Sequence, residues 1–168
     1  MHTYSYFSDV GVLVAEDEET SRLILCEMLE RIGVTNYIAT DNGESAIAEF
    51  LDNHIDLVIT DWNMKPMDGM DLTRSIRDVK NGEKAKTPII MLTGLADQNA
   101  VLHARHLGMS QFLAKPIKRN ELASRMHMAL SDPVLLVQQE EMYVADMSNM
   151  PSYAIPNRPN EPPQFWEV

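Results

Sequence analysis

Cysteine is almost missing from this sequence. Cys26 is the single one among 168 residues, which excludes an internal disulfide and fits a reducing compartment. With no second thiol to resolve an oxidised one, Cys26 reads as a half-exposed bystander opposite the apolar face of its helix, not as a redox switch. Positive charge is scarce as well. Fourteen Lys and Arg stand against 25 Asp and Glu, for a formal net charge of −11 and a pI near 4.8. That argues against a DNA, RNA or anionic-membrane surface, each of which wants bases clustered on one face. No apolar run is long enough for a membrane span, so no membrane insertion is expected. Met1 to Asp9 lacks the basic stretch and apolar core of a signal peptide. These absences together point to the cytoplasm.

What is present is apolar material in short, regularly spaced packets. Hydrophobic residues make up 45% of the chain, enough for a full core. Strands are expected at Gly11–Ala15, Tyr37–Thr40, Asp56–Thr60, Pro88–Leu92 and Gln111–Ala114. Most are continuous β-branched or aliphatic runs, the mark of a strand buried on both faces. Helices are expected at Thr20–Ile32, Gly43–Leu51, Met70–Val79, Asp97–Leu107 and Asn120–Leu130. On the first of these Ile24, Leu25, Met28, Leu29 and Ile32 share a face, and Gly33 stops it. On the second Ala46, Ile47, Phe50 and Leu51 do. Residues 80–87 read as a polar connector. Five strands alternating with five helices predict an α/β fold: a flavodoxin-like, doubly wound, five-stranded parallel sheet, order 2-1-3-4-5, with helices on both faces.

The domain limits follow from composition. Residues 1–9, with Tyr4, Tyr6 and Phe7 among polar neighbours, read as an N-terminal arm, and 10–131 as the packed domain. Residues 132–168 read as a mostly irregular acidic, Pro-rich tail. From Ser131 onward there are six acids and one base, so the tail supplies −5 of the charge. Five prolines fall between Pro151 and Pro163. Two apolar patches, Val134–Val137 and Met142–Val144, interrupt it. Phe165-Trp166 reads either as a docking peptide or as a strap on the domain's own surface. No DNA-binding output domain is expected in so short and acidic a segment.

Four strands end on chemically suggestive residues: Glu16 and Asp17, Asp61, Thr93, and Lys115. In a parallel doubly wound sheet these ends share one edge. Three carboxylates so close need a cation, and an all-oxygen site suits Mg²⁺. Asp61 would then stay anionic and able to attack phosphorus, with Lys115 spreading the developing charge and Thr93 bonding a phosphoryl oxygen.

The sequence at this point resembles the receiver domain of two-component response regulators, the family of the chemotaxis receiver protein. The matching pieces are VLVAEDEE (12–19), LVITDWNMKPMDGM (57–70), PIIMLTG (88–94) and FLAKPI (112–117), over roughly residues 10–130. The resemblance implies Asp61 as phosphoacceptor and Asp17 as Mg²⁺ ligand, with Glu16 as the second acid, often acting through water. It adds the backbone carbonyl of Asn63 as a further ligand, Thr93 as switch hydroxyl, Lys115 as phosphate-pairing base and Lys115-Pro116 as a cis peptide. Phe112 stands where the switch aromatic is often Tyr, Glu16 where Asp is commoner, and Gly94 where Ala is frequent. The implied partners are a sensor histidine kinase or phosphotransfer protein and a downstream protein target, with a homodimer left open. The function expected is a stand-alone phosphorylation switch, or a phosphate sink for a shared kinase. It is not an enzyme beyond its own phosphorylation and dephosphorylation. An aspartyl-phosphate phosphohydrolase ranks far lower, because the second acid such enzymes carry two residues after the nucleophile is Asn63 here.

Among the remaining residues, His103 and His106 are read as exposed helix positions without a third ligand. Trp62 is read as facing solvent at the pocket rim. Val101 and Phe112 fit either core or output surface.

Overall fold

The computed structural model of the chain describes residues 6–94 and 98–149. Five strands, β1 (Gly11–Ala15), β2 (Asn36–Thr40), β3 (Leu57–Asp61), β4 (Ile89–Thr93) and β5 (Gln111–Ala114), form one parallel sheet in the order β2-β1-β3-β4-β5. The helices are α1 (Glu19–Arg31), α2 (Gly43–Asp52), α3 (Gly69–Arg77), α4 (Gln98–His106) and α5 (Arg119–Ser131). This is the expected doubly wound fold, with element ends shifted by one or two residues.

Alternation along each strand divides the core into two layers. Val12 and Val14 of β1, Leu57 and Ile59 of β3, and Ile90 and Leu92 of β4 face α1 and α5, where Leu25, Leu29, Leu122 and Met126 meet them. Leu13, Val58, Ile89 and Met91 point the other way, toward Phe50 of α2, Leu72 and Ile76 of α3, and Val101 and Ala104 of α4. Val101 and Phe112 are therefore core residues. The buried stripe of α1 is narrower than its sequence suggests: Leu25 and Leu29 are buried, whereas Ile24 lies at its margin and is 48% exposed. Leu51 at the end of α2 is likewise exposed.

Helix ends are set locally. Glu18 caps α1, accepting bonds from the backbone N–H of Thr20 and Ser21. Gly33, at φ 95°, closes the same helix, where Val34 N–H reaches Leu29 O and Gly33 N–H reaches Glu30 O. Gly108, at φ 80°, ends α4 through the same pair of bonds, Met109 to Ala104 and Gly108 to Arg105.

Two features depart from the sequence expectation. The connector at 80–87 is largely 3-10 in conformation over Val79–Lys86, in two pieces separated by a kink at Gly82, φ 58°. Part of the tail is also folded. Strands β6 (Leu136–Gln139) and β7 (Met142–Ala145) pair as an antiparallel hairpin. The hairpin packs against α3, α4 and the 3-10 segment. Residues 150–168, including Phe165-Trp166, and Tyr4 of the arm lie outside the described residues. Phe7 of the arm is buried in the α1/α5 layer.

Arg77 is a buried charge of the fold outside the strand-end site, with 1% of its surface exposed. Among the described residues it has no carboxylate partner. Its guanidinium donates instead to the carbonyls of Leu107, Ala85, Thr87 and Gly108. These oxygens sit at the ends of α4 and of the 3-10 helix, where unpaired carbonyls give a local negative potential. Burial lowers the Arg77 pKa to about 9, and the side chain remains charged at neutral pH.

Candidate functional site

Sheet register gathers the four strand ends named above. Ala15 lies opposite Thr60, so Glu16 follows beside Asp61. Asp61 lies opposite Leu92 and Thr93 opposite Ala114, so Lys115 follows beside the end of β4. Backbone bonds extend the ladder past the strands: Glu16 N–H to Thr40 O, Trp62 N–H to Leu92 O and Lys115 N–H to Thr93 O. Parallel pairing thus converts distant positions in the chain into neighbours.

The side chains meet as the charges require. Lys115 Nζ lies 2.8 Å from Glu16 Oε2 and 3.0 Å from Asp61 Oδ1. Glu16 is buried and Asp17 is exposed. Ligand oxygens of Glu16, Asp17 and Asp61 come within 4.8 Å of one another. Glu16 is fixed further, its Oε1 accepting from Glu18 N–H and its backbone carbonyl from Arg22 Nη1.

Burial dominates the titration of the two inner acids. It raises the Asp61 pKa above the usual range, and the Lys115 contacts and the Trp62 N–H offset this only partly. Burial raises Glu16 as well, against the Lys115 bond, and the charge of Asp61 adds to it. Lys115 is pulled down by burial, but its bonds to Glu16 and Asp61 outweigh that and leave its pKa raised. With all four groups ionised, three carboxylates face one ammonium. The excess of two negative charges matches a dication in an oxygen-rich setting.

Thr93 is buried, and among the described residues its Oγ1 has no hydrogen-bond partner. A buried hydroxyl left unsatisfied is costly, and such a group at a site edge signals a missing polar partner. It stands one position past Leu92, the residue opposite Asp61. The loop after β3 is held close by Gly69, since a Cβ there would run into the backbone oxygen of Asp61 and the Met91 side chain. Asn63, in that loop, is exposed. Both Lys65-Pro66 and Lys115-Pro116 are cis, and only the second was anticipated.

Comparison with known proteins agrees with this geometry. The family model described as response regulator receiver domain matches residues 12–127. This chain belongs to the receiver domain family. It is 30% identical over 116 residues to the chemotaxis protein CheY of Pseudomonas aeruginosa, covering 68% of this chain and 91% of that one. A response regulator receiver protein from Pseudomonas putida superposes with a TM-score of 0.63 at 30% identity, covering 70% of this chain and 95% of the other. A sensor histidine kinase receiver domain from P. aeruginosa PAO1 has a magnesium ion coordinated in its active-site cleft. It superposes with a TM-score of 0.60 at 27% identity, covering 71% and 94%. The protein is therefore a CheY-like receiver of two-component signalling, and its acidic cluster fits the Mg²⁺ site of such receivers.

The other sequence readings divide. His103 and His106 are exposed, and among the described residues neither belongs to a group of three possible metal ligands. Trp62 is half-buried against the core rather than turned to solvent. Glu18 and Gly69 shape the site and had not been assigned to it. The capping role of Glu18 is legible in the sequence as an acid two residues before Thr20. No described helix is long and apolar enough to cross a membrane.

Proposed function

We propose that Asp61 accepts a phosphoryl group from a phosphohistidine on a sensor kinase or phosphotransfer protein. Its carboxylate oxygen attacks phosphorus, the new O–P bond forms as the N–P bond breaks, and the released imidazole keeps the electron pair and takes a proton from solvent. Lys115, already on Asp61, turns to a phosphoryl oxygen as it arrives. Thr93 Oγ1 donates to another, which supplies its missing partner. Asp17, Asp61, the Asn63 backbone carbonyl and Glu16, the last directly or through water, would hold Mg²⁺, whose charge would offset the repulsion between Asp61 and the incoming oxygens. Glu16 keeps Lys115 anchored to the site floor. Phe112, buried at the end of the same layer, repacks as Thr93 moves, and the surface around α4 and β5 changes for a downstream protein. On this reading the chain works in the cytoplasm as a switch acting through protein contact.

The observation that carries the reading is buried Asp61 paired with half-buried Lys115 beside an orphaned Thr93 hydroxyl. Incubation with acetyl phosphate and Mg²⁺ tests it. The wild type should gain one phosphoryl group that is lost to hydroxylamine, and Asp61→Asn should gain none. Equal labelling of the variant, or a hydroxylamine-resistant label, overturns it.

A further inference from the structure

The family match ends at residue 127, and the hairpin begins at Leu136. The hairpin is thus an addition to the common receiver body, and it is firmly seated. Val79 N–H donates to Glu141 O at 2.9 Å, and Asp78 bridges to Met142. Met142 packs on the core layer that contains Val101, Ala104 and Phe112, and Val144 and Ala145 are buried. Lys86 Nζ lies 5.5 Å from the centre of the Tyr143 ring.

The contact with α4 is the informative one. Leu136 covers Gly108 so closely that a Cβ there would lie 2.6 Å from Leu136 Cδ2. Gly108 is the residue that ends α4, and its carbonyl and that of Leu107 accept from buried Arg77. The C-terminal end of α4 is therefore gripped from inside by Arg77 and from outside by the hairpin. The other end of α4 follows β4, which Thr93 closes. A shift of Thr93 toward a phosphoryl group acts on α4 at one end while the hairpin resists at the other.

We propose that the Leu136–Ala145 hairpin is a built-in restraint on α4 that favours the unphosphorylated packing, an inference that rests on the phosphoacceptor reading of Asp61. An element that binds one of two conformers more tightly shifts the population toward it, and the coupling is reciprocal. The hairpin opposes phosphorylation, and phosphorylation loosens the hairpin.

The test uses the full chain and two mild variants, Leu136→Ala and Tyr143→Ala, so that a folding defect in one does not end the experiment. Amide exchange in the unphosphorylated protein should be at least threefold faster at 99–106 in both variants, with the β1 and β3 amides unchanged. Unchanged exchange at 99–106 in a variant with intact β1 and β3 overturns the restraint, and this readout needs no phosphorylation. The initial rate of labelling by acetyl phosphate should rise at least twofold in both. Equal or slower labelling overturns the link to activation. An absence of label in wild type and variants alike overturns the phosphoacceptor reading, while exchange at α4 still decides the restraint.

Discussion

The Thr93 hydroxyl shows how a single atom can separate stability from function. Buried and without a partner, it weakens the resting fold. Thr93→Val keeps the shape and removes the orphan. The variant should unfold at higher urea, by about 1 kcal/mol, because an unsatisfied buried polar group costs that order of free energy. Its phosphorylated form should lose the conformational response in α4. A less stable variant would contradict the account. Glu16 and Asp61 show the same tension in charge. Both have pKa values raised in the folded state, chiefly by burial. The folded chain therefore holds protons that the unfolded chain has already released. Their contribution to stability declines as pH rises from the ordinary carboxylate range toward the folded values. Mg²⁺ should restore that loss, adding about 1.4 kcal/mol at a tenfold excess over its dissociation constant. Thermal unfolding with and without the ion at pH 7 and pH 4 checks this. The gain should be present at pH 7 and fade at pH 4, where protons compete for the carboxylates.

At the level of elements, the strands explain why the site was readable. Four of the five end an apolar run on or just before a polar residue, and parallel pairing brings those ends together whatever the loops between them do. Acids at 16, 17 and 61, the hydroxyl at 93 and the amine at 115 fall on one edge from the sequence pattern alone. The hairpin was not readable for an equally physical reason. Its two apolar patches were visible, but the turn between them, Glu140-Glu141, contains no Gly, Asn or Asp. Glu140 nevertheless adopts φ 53°, a left-handed backbone that costs a side-chain-bearing residue about 1 kcal/mol. The hairpin tolerates this because β7 is held by Val79, Asp78 and the core. Glu140→Asn should relieve part of that strain and slow amide exchange across the β6–β7 ladder severalfold. Faster exchange would mean that the left-handed turn is not a source of strain. Element α1 carries a related acid effect. Glu18, with its carboxyl pKa lowered to about 2 by the Ser21 and Thr20 contacts, supports the helix start above pH 4.5 and loses that support as pH falls toward 2.

Across the whole molecule, one body serves two ends. The C-terminal edge of the sheet collects charge in a cleft, and the opposite end of α4 is fastened by Arg77 and the hairpin. Arg77 escaped the sequence reading because a base in the last turn of a helix ordinarily points to solvent and complements the dipole. Only the tertiary placement of α4 and the 3-10 segment surrounds it with carbonyls. The same holds for Trp62, which its position beside Asp61 suggested at the rim and which packing draws inward. The claim on which the whole rests is that Asp61 is the atom-level target of the phosphoryl group. Borohydride reduction after incubation with acetyl phosphate, followed by peptide mapping, tests it directly, since an aspartyl phosphate is reduced to homoserine. Homoserine is expected at position 61, and only when Mg²⁺ is present. Homoserine at another aspartate, or its formation at 61 without Mg²⁺, would contradict it.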